Sequence, residues 1–454
     1  MITFLKQAFS RPLSDESGRA GKKGSALRHR LPIPQSTCRH EWPRERLVKI
    51  LFISQHFFPE QFSNNRIAEN MADRGHDVSV CTAVPNYPSG RFFDGYSNRS
   101  NRTERWGKIL IHRAWTVPRG KSALSLFVNY ITFPVAASIK VLLAKARPDV
   151  VFVSQLSPVF MVLPGILQKW KTGCGLVYWV QDIWPESATY TLGLRNRLVV
   201  GLLNAICGWL YRRADLVMVQ SAAFNDMITR FGVPPARIRL LPNTAPDSYR
   251  PLTPEQAPDY AALVPQEGFR LMFAGNIGES QDFDTLVAAA VLLRGREDLH
   301  WVIVGSGRDE ARVRRLVVEN GLGERFHFLG RHPEEAMPKF FAHADAMLVS
   351  LKDIPIFALT VPYKVQCYLA CGKPIIASLA GEGARIVNES GAGIAVAAGR
   401  PQALAEAIAK MMDATPSRRH AFAAGARRYF DNNYAADKVY DILEQTLEYA
   451  AQYR

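Results

Sequence analysis

From Leu47 onward the chain alternates short apolar runs with longer segments in which apolar residues recur every three or four positions. VKILFIS (48–54), DVSVCTA (77–83), ILIHRA (109–114), DVVFVS (149–154), GLVYWVQ (175–181) and DLVMVQS (215–221) read as strands, and NNRIAENMADRGH (64–76) as a helix ending at Gly75. Continuous apolar runs suit strands covered on both faces, which means a parallel sheet between layers of helices. The pattern pauses between Ala245 and Gly268, a stretch with five prolines and no period, read as a linker. It resumes at Phe269 with RLMFAGN, HWVIVGSG, RFHFLG, DAMLVSL and PIIASLA as strands separated by amphipathic helices. The expected fold is α/β, with two doubly wound domains facing a central cleft. Residues 47–245 form the first, 246–268 the linker and 269–430 the second, with 431–454 a C-terminal helix packing back on the first domain. In such sheets a ligand lies outside the carboxyl ends of the strands.

The chain has 454 residues, 48% hydrophobic and 21% charged, ordinary for a two-domain globular protein, but its net charge is +15. That surplus suits anionic partners. Because the cations are spread along the chain, no nucleic acid is expected. Residues 1–46 hold ten Lys/Arg against four Asp/Glu and read as a disordered basic extension, able to touch anionic lipid or foreign to a chain that starts near Val48. Six cysteines without a CxxC pair point to neither a disulfide framework nor a zinc site, and hence to a reducing, cytoplasmic setting. No signal peptide is visible. The uncharged run Ser122–Ile139, interrupted by Asn129 and Pro134, reads as a core helix or as one that dips into a membrane interface.

Candidate chemistry gathers in loops after strands. VPYKVQCYLACGKPIIAS (361–378) reads as a helix stopped by Gly372, a turn and a buried strand. Lys364 falls in the helix's first turn, where the helix dipole disfavours a cation unless an anion sits at the N-terminus. Gly275-Asn276-Ile277-Gly278 and Gly305-Ser306-Gly307 are glycine turns that let backbone N–H groups approach a phosphate, and Arg331 follows the next strand. Asp282-Phe283-Asp284 spells DxD but falls at a helix start, where Asp is favoured as a cap, so no metal site is expected. In the first domain the loop 55–66 with Asn64, the loop 85–90 with Asn86 and Tyr87, and QDIWPES (181–187) with Asp182, Trp184 and Glu186 offer polar groups and exposed aromatics, Asp182 at a strand's carboxyl end being placed to handle a sugar hydroxyl. Asp182 and Glu186 also fit as helix caps.

PNYPSG (85–90), DIWPES (182–187), LPN (241–243), FAGNIGESQDFDTL (273–286), VIVGSGRDEARV (302–313) and YLACGKPIIAS (368–378) together resemble the family 4 glycosyltransferases, from about Leu47 to the C-terminus. The resemblance is greatest to the branch that builds bacterial surface polysaccharides, often described as transferring N-acetyl-L-fucosamine. It implies the GT-B fold of two Rossmann-like domains and retaining transfer without a required metal or other cofactor. The implied donor is a nucleotide-diphosphate sugar, UDP favoured, held in the second domain by Gly275, Asn276, Gly278, Gly305, Gly307, Arg331 and Lys364. Asp182 and Lys364 would serve catalysis. Asn64, Asn86, Tyr87, Trp184 and Glu186 would meet an oligosaccharide or polyprenyl-diphosphate-linked acceptor at the cytoplasmic face of the inner membrane, with peripheral contact to anionic lipid. The chain departs from the family at three points. Leu359 and Cys367 replace a Glu-x7-Glu pair that holds the donor ribose. Gln281 and Asp282 stand where an Arg and a Lys grip the diphosphate, and Gln181 replaces a His. Two rivals fit the same residues: a GT-B epimerase acting on a UDP-amino sugar, and a non-catalytic nucleotide-sugar-binding scaffold.

Overall fold

A computed structural model describes residues 47–120, 123–192 and 196–452; the basic segment 1–46 lies outside the described residues. In the first domain the elements run β1 (Lys49–Ile53), α1 (Ser63–Asp73), β2 (Asp77–Ala83), β3 (Thr103–Trp106), β4 (Ile109–Ala114), α2 (Ala123–Leu143), β5 (Val150–Gln155), α3 (Leu163–Thr172), β6 (Gly175–Val180), α4 (Glu186–Leu192), α5 (Arg197–Arg213), β7 (Leu216–Val219), α6 (Phe224–Arg230) and β8 (Ile238–Leu240). The strands order as β3-β4-β2-β1-β5-β6-β7-β8, all parallel except β3, which pairs antiparallel with β4. One face of this sheet packs on α2, α3, α5 and α6, through Phe133, Ala137, Tyr211 and Ile228 among others. The other packs on α1 through Ile67 and Met71.

The second domain runs β9 (Phe269–Ala274), α7 (Phe283–Leu292), β10 (Leu299–Val304), α8 (Glu310–Glu319), β11 (Phe326–Gly330), α9 (Met337–Ala342), β12 (Ala346–Ser350), α10 (Pro355–Leu359), α11 (Tyr363–Ala370), β13 (Ile375–Ser378), α12 (Gly381–Glu389), β14 (Gly393–Val396), α13 (Pro401–Met412), α14 (Pro416–Asn433) and α15 (Ala436–Ala450). Its six strands are parallel, in the order β11-β10-β9-β12-β13-β14. Helix α15 leaves this domain and buries Val439, Tyr440, Leu443 and Leu447 against the first sheet, beside α1. Strand order reverses at β1/β5 in one sheet and at β9/β12 in the other. These two switch points open the crevices in which doubly wound sheets bind ligands.

Three strands carry no strong sequence pattern: the edge strand β3, and the terminal strands β8 and β14, each four residues or shorter. They are too short to carry one: TERW, IRL and GIAV hold one, two and three apolar residues. Helix α2 runs through Pro134 rather than breaking at it. Asn129, expected as an interruption, is buried inside this helix: its amide donates to Val117 O (2.7 Å) and accepts from Gln55 Nε2 (2.8 Å).

Candidate active site

In the second domain, the loops after β9, β10 and β11 are stitched side by side. Gly275 N–H donates to Val304 O (2.9 Å), Ile277 N–H to Ser306 O (3.0 Å) and Gly305 N–H to Gly330 O (2.7 Å). This packing explains two glycines without any ligand. Gly305 has φ +139°, and a Cβ there would lie 1.9 Å from Gly275 O; a Cβ at Gly307 would lie 2.0 Å from Ile277 O. Gly305→Ala is therefore expected to destabilise the fold by about 2 kcal/mol or more, lowering Tm by about 4 °C or more. Thermal unfolding checks this, and an unchanged Tm would contradict it.

Lys364 is the second residue of α11, just past Pro362. Its Nζ donates to Gln281 Oε1 at 2.5 Å and lies 3.9 Å from the centroid of the Phe273 ring. It also lies against Gly275, where a Cβ would come within 3.3 Å of Nζ. Burial lowers its pKa to about 7. The ammonium is thus desolvated, held by a neutral amide, and placed beside the exposed backbone of Gly275 and Asn276. An anion there would restore its ordinary basicity. Across the same switch point, Lys352 N–H donates to Ser280 O (3.0 Å) and its Nζ pairs with Glu279 (2.9 Å), tying the loop after β12 to the loop after β9. Arg331 is exposed on the loop after β11.

Asp282 does not cap α7 with its side chain, as the sequence suggested. It adopts a left-handed conformation (φ 53°) and is buried. Asp284 instead pairs with Arg312 (2.7 Å), which also holds Asp309 (2.6 Å). An Arg that bridges two carboxylates accounts for Asp284 as part of the packing between α7 and α8.

In the first domain, Asp182 follows β6. Burial raises its pKa, while hydrogen bonds from Ser187, Trp184 and Ser157 pull it back. The Ser187 hydroxyl donates to Asp182 Oδ1, and Gln155 Nε2 donates to the Asp182 carbonyl (2.8 Å). Tyr87 is exposed, its ring 5.5 Å from that of His56 and 5.4 Å from that of Phe62. His56 Nδ1 lies 2.9 Å from Glu60 Oε2, and Glu60 Oε1 accepts from the N–H groups of Asn86 (2.7 Å) and Tyr87 (2.6 Å). A buried carboxylate so anchored fixes both the imidazole and the loop that presents Tyr87.

Three expected acceptor residues are corrected. Asn64, Asn86 and Trp184 are buried. Asn64 donates to Ser54 Oγ and accepts from Ser154 Oγ, both at 2.8 Å. Asn86 donates to Val84 O (2.8 Å) and accepts from Arg119 N–H (3.0 Å). Trp184, expected as an exposed aromatic, packs edge-on to Phe160 (6.1 Å between ring centroids). Buried polar groups in these loops must be paired: Asn86 does this for loop backbone, and Asn64 for the hydroxyls of Ser54 and Ser154. Glu186 is half-buried, its pKa raised by burial, and lines a hollow between α5 and α6 with Arg212 and Arg230.

The two halves meet directly. Arg66 Nη2 of α1 donates to Tyr363 Oη (3.1 Å), and Ser221 Oγ donates to Leu359 O (2.6 Å). Lys364 is therefore adjacent to a residue in contact with the first domain.

Residues 63–244 match the family described as "Glycosyl transferase 4-like domain", and residues 268–414 that described as "Glycosyl transferases group 1". The two matches fall one on each sheet and together span most of the chain. The chain belongs to the GT-B glycosyltransferases. It is 25% identical over 340 residues to the Escherichia coli K12 protein named "Putative colanic acid biosynthesis glycosyl transferase WcaI", covering 72% of this chain and 82% of that protein. Its fold is that of sucrose-phosphate synthase from Thermosynechococcus elongatus (TM-score 0.69, 19% identity, 88% of this chain and 98% of the other). It is likewise that of Anabaena HepE in complex with UDP and glucose (TM-score 0.65, 17% identity, 88% and 99%).

In this glycosyltransferase the structure gathers Gly275, Asn276, Gly278 and Lys364 at one switch point, with the Gly305–Gly307 turn packed against them. Asp182 stands at the end of a strand on the opposite sheet. Sequence reasoning passed over Lys352, the His56–Glu60 pair and Arg66. It also passed over Glu334, which lies within electrostatic reach of Arg66, Tyr363 and Cys367. A His four residues before a Glu in the first βα loop was the available signal for the His56–Glu60 pair. Arg66 and Glu334 have none, since their neighbours come from distant segments.

Proposed function

We propose that this enzyme transfers a sugar, with retention of configuration, from a UDP-sugar to a polyprenyl-diphosphate-linked glycan in surface polysaccharide biosynthesis. The proposed donor glycosyl group is a hexosyl or an N-acetylated amino sugar. The observation that carries the reading is the desolvated Lys364 ammonium, facing open glycine backbone and held by the Gln281 amide and the Phe273 ring, with no carboxylate on it among the described residues. The bond from the anomeric carbon to the departing diphosphate breaks as the acceptor hydroxyl oxygen bonds to that carbon, and the hydroxyl proton passes to the departing diphosphate. The charge arriving on the diphosphate is met by Lys364 and by N–H groups at Asn276 and Gly278. Asp182 orients the acceptor hydroxyl or supports positive charge on the sugar. Glu334 is proposed to take up the ribose role left open by Leu359 and Cys367. The acceptor-side contacts are assigned to Tyr87 and Glu186.

Nucleotide release across UDP- and GDP-sugars, with and without membrane-lipid acceptors, tests the reading. Release that requires acceptor supports transfer. Donor conversion without acceptor would identify an epimerase, and binding without turnover a scaffold. Because Asp284 is committed to Arg312 and the leaving group is met by protein groups, transfer is expected to persist in excess EDTA. Complete loss, restored by Mg²⁺ or Mn²⁺, would overturn that assignment.

A further inference from the structure

The layer of α2, α3 and α5 carries an apolar outer surface. Phe127, Ile131, Val135, Ile139 and Leu142 fall three or four residues apart along α2, on the side opposite Phe133, Ala137 and Val141, which enter the core. All but the half-buried Ile131 are exposed. The stripe from Phe127 to Leu142 runs over about 22 Å of helix. On α5, Leu198, Leu202, Ala205 and Trp209 repeat the pattern, Leu198 being 84% exposed. Helix α3 lies between them: Lys171 Nζ donates to Leu142 O (2.7 Å) at the end of α2, and Lys169 Nζ to Arg213 O (3.5 Å) at the end of α5. It projects Trp170, 83% exposed, from the middle of the layer.

The charges on these three helices have one sign, with Lys169 paired to Asp215 (2.5 Å) just before β7. Helices α2, α3 and α5 contain Lys140, Lys169, Lys171, Arg197, Arg212 and Arg213, and no Asp or Glu. Helix α15, on the opposite face of the same sheet, contains Asp437, Asp441, Glu444 and Glu448. The Arg213 guanidinium stacks 4.9 Å from the Trp209 ring, an amphipathic pairing suited to a headgroup boundary. Among the described residues no helix is long and apolar enough to cross a membrane.

We infer that this face lies on an anionic lipid bilayer, its apolar stripes at the acyl boundary and its cations among the headgroups. A second copy of the chain fits less well, since two such faces would oppose like charges. The inference deepens the lipid-linked acceptor reading and rests on it only for the biological lipid; the surface itself is tested without donor or acceptor.

The experiment is co-sedimentation of the full chain with phosphatidylcholine vesicles, with and without phosphatidylglycerol, comparing wild type with the triple variant Leu198→Ser/Leu202→Ser/Trp209→Ser. Wild type is expected to bind the phosphatidylglycerol vesicles, less so at high salt. The triple variant is expected to bind at least tenfold more weakly with unchanged thermal unfolding and unchanged nucleotide release with soluble acceptor. A second variant, Ile139→Ser/Trp170→Ser, serves if the first unfolds. Undiminished binding by a folded variant would overturn the proposal, as would binding that depends only on residues 1–46. So would a wild-type dimer in sedimentation velocity that the variant dissolves. Absence of any transfer, with vesicle binding intact, would count against the enzymatic reading alone.

Discussion

Replacing Lys364 with alanine is expected to weaken UDP-sugar binding and transfer together, each by about ten- to a hundredfold. A charge-assisted contact to a diphosphate contributes about 1.5–3 kcal/mol, and the proposed one would form at a buried ammonium beside the Phe273 ring. The same environment gives the effect a pH signature. In the free enzyme the ammonium titrates at about pH 7 rather than 10.5. Below pH 7 it is already charged and affinity is flat. Above pH 7 it must take up a proton to meet the diphosphate, so affinity falls as pH rises and binding is accompanied by proton uptake. Calorimetry at pH 8 in buffers of different ionisation enthalpy checks this. Equal heats in all buffers, or unchanged affinity in Lys364→Ala, would remove Lys364 from the donor site.

Asp182→Asn is expected to lower the transfer rate by about a hundredfold to a thousandfold while leaving donor affinity near that of wild type. The amide keeps the size of the carboxylate and can still accept from Ser187. It cannot carry the negative charge that supports the sugar in the transition state, and a fixed charge in a desolvated site is worth about that much. Since burial raises the Asp182 pKa, the acid limb of the rate profile should begin at a higher pH than an ordinary aspartate would set. Activity is lost as pH falls through that value, and Asp182→Asn should remove this limb. A variant that keeps the wild-type rate would return Asp182 to a purely structural role beside Ser187.

The central strands were legible because each carries an unbroken run of at least four apolar residues; β1, β5, β6, β9, β10 and β12 need no partner to be recognised. Strands β3, β8 and β14 were not, since runs of three or four residues are too short to show a period. The site divides in the same way. Lys364 could be read because a cation in a first turn violates a local rule, and the violation pointed to a ligand. Gly305 and Gly307 could be located but not explained, because the carbonyls they accommodate belong to residues thirty positions earlier. Asn64, Asn86 and Trp184 had the right chemistry in the right loops, yet burial turned them inward to pair serine hydroxyls, to pair loop backbone and to fill the core, respectively. Nothing local distinguishes a polar side chain that faces a ligand from one that completes a network across strands β1, β5 and β6.

The division of labour between the two sheets is tested most directly by calorimetric titration of UDP, without acceptor, into wild type, Lys364→Met and Asp182→Asn. Wild type and Asp182→Asn should bind UDP with affinities within about twofold of each other, and Lys364→Met at least about tenfold more weakly. Loss of UDP binding in Asp182→Asn with full binding in Lys364→Met would place the nucleotide on the opposite sheet and contradict the arrangement described here.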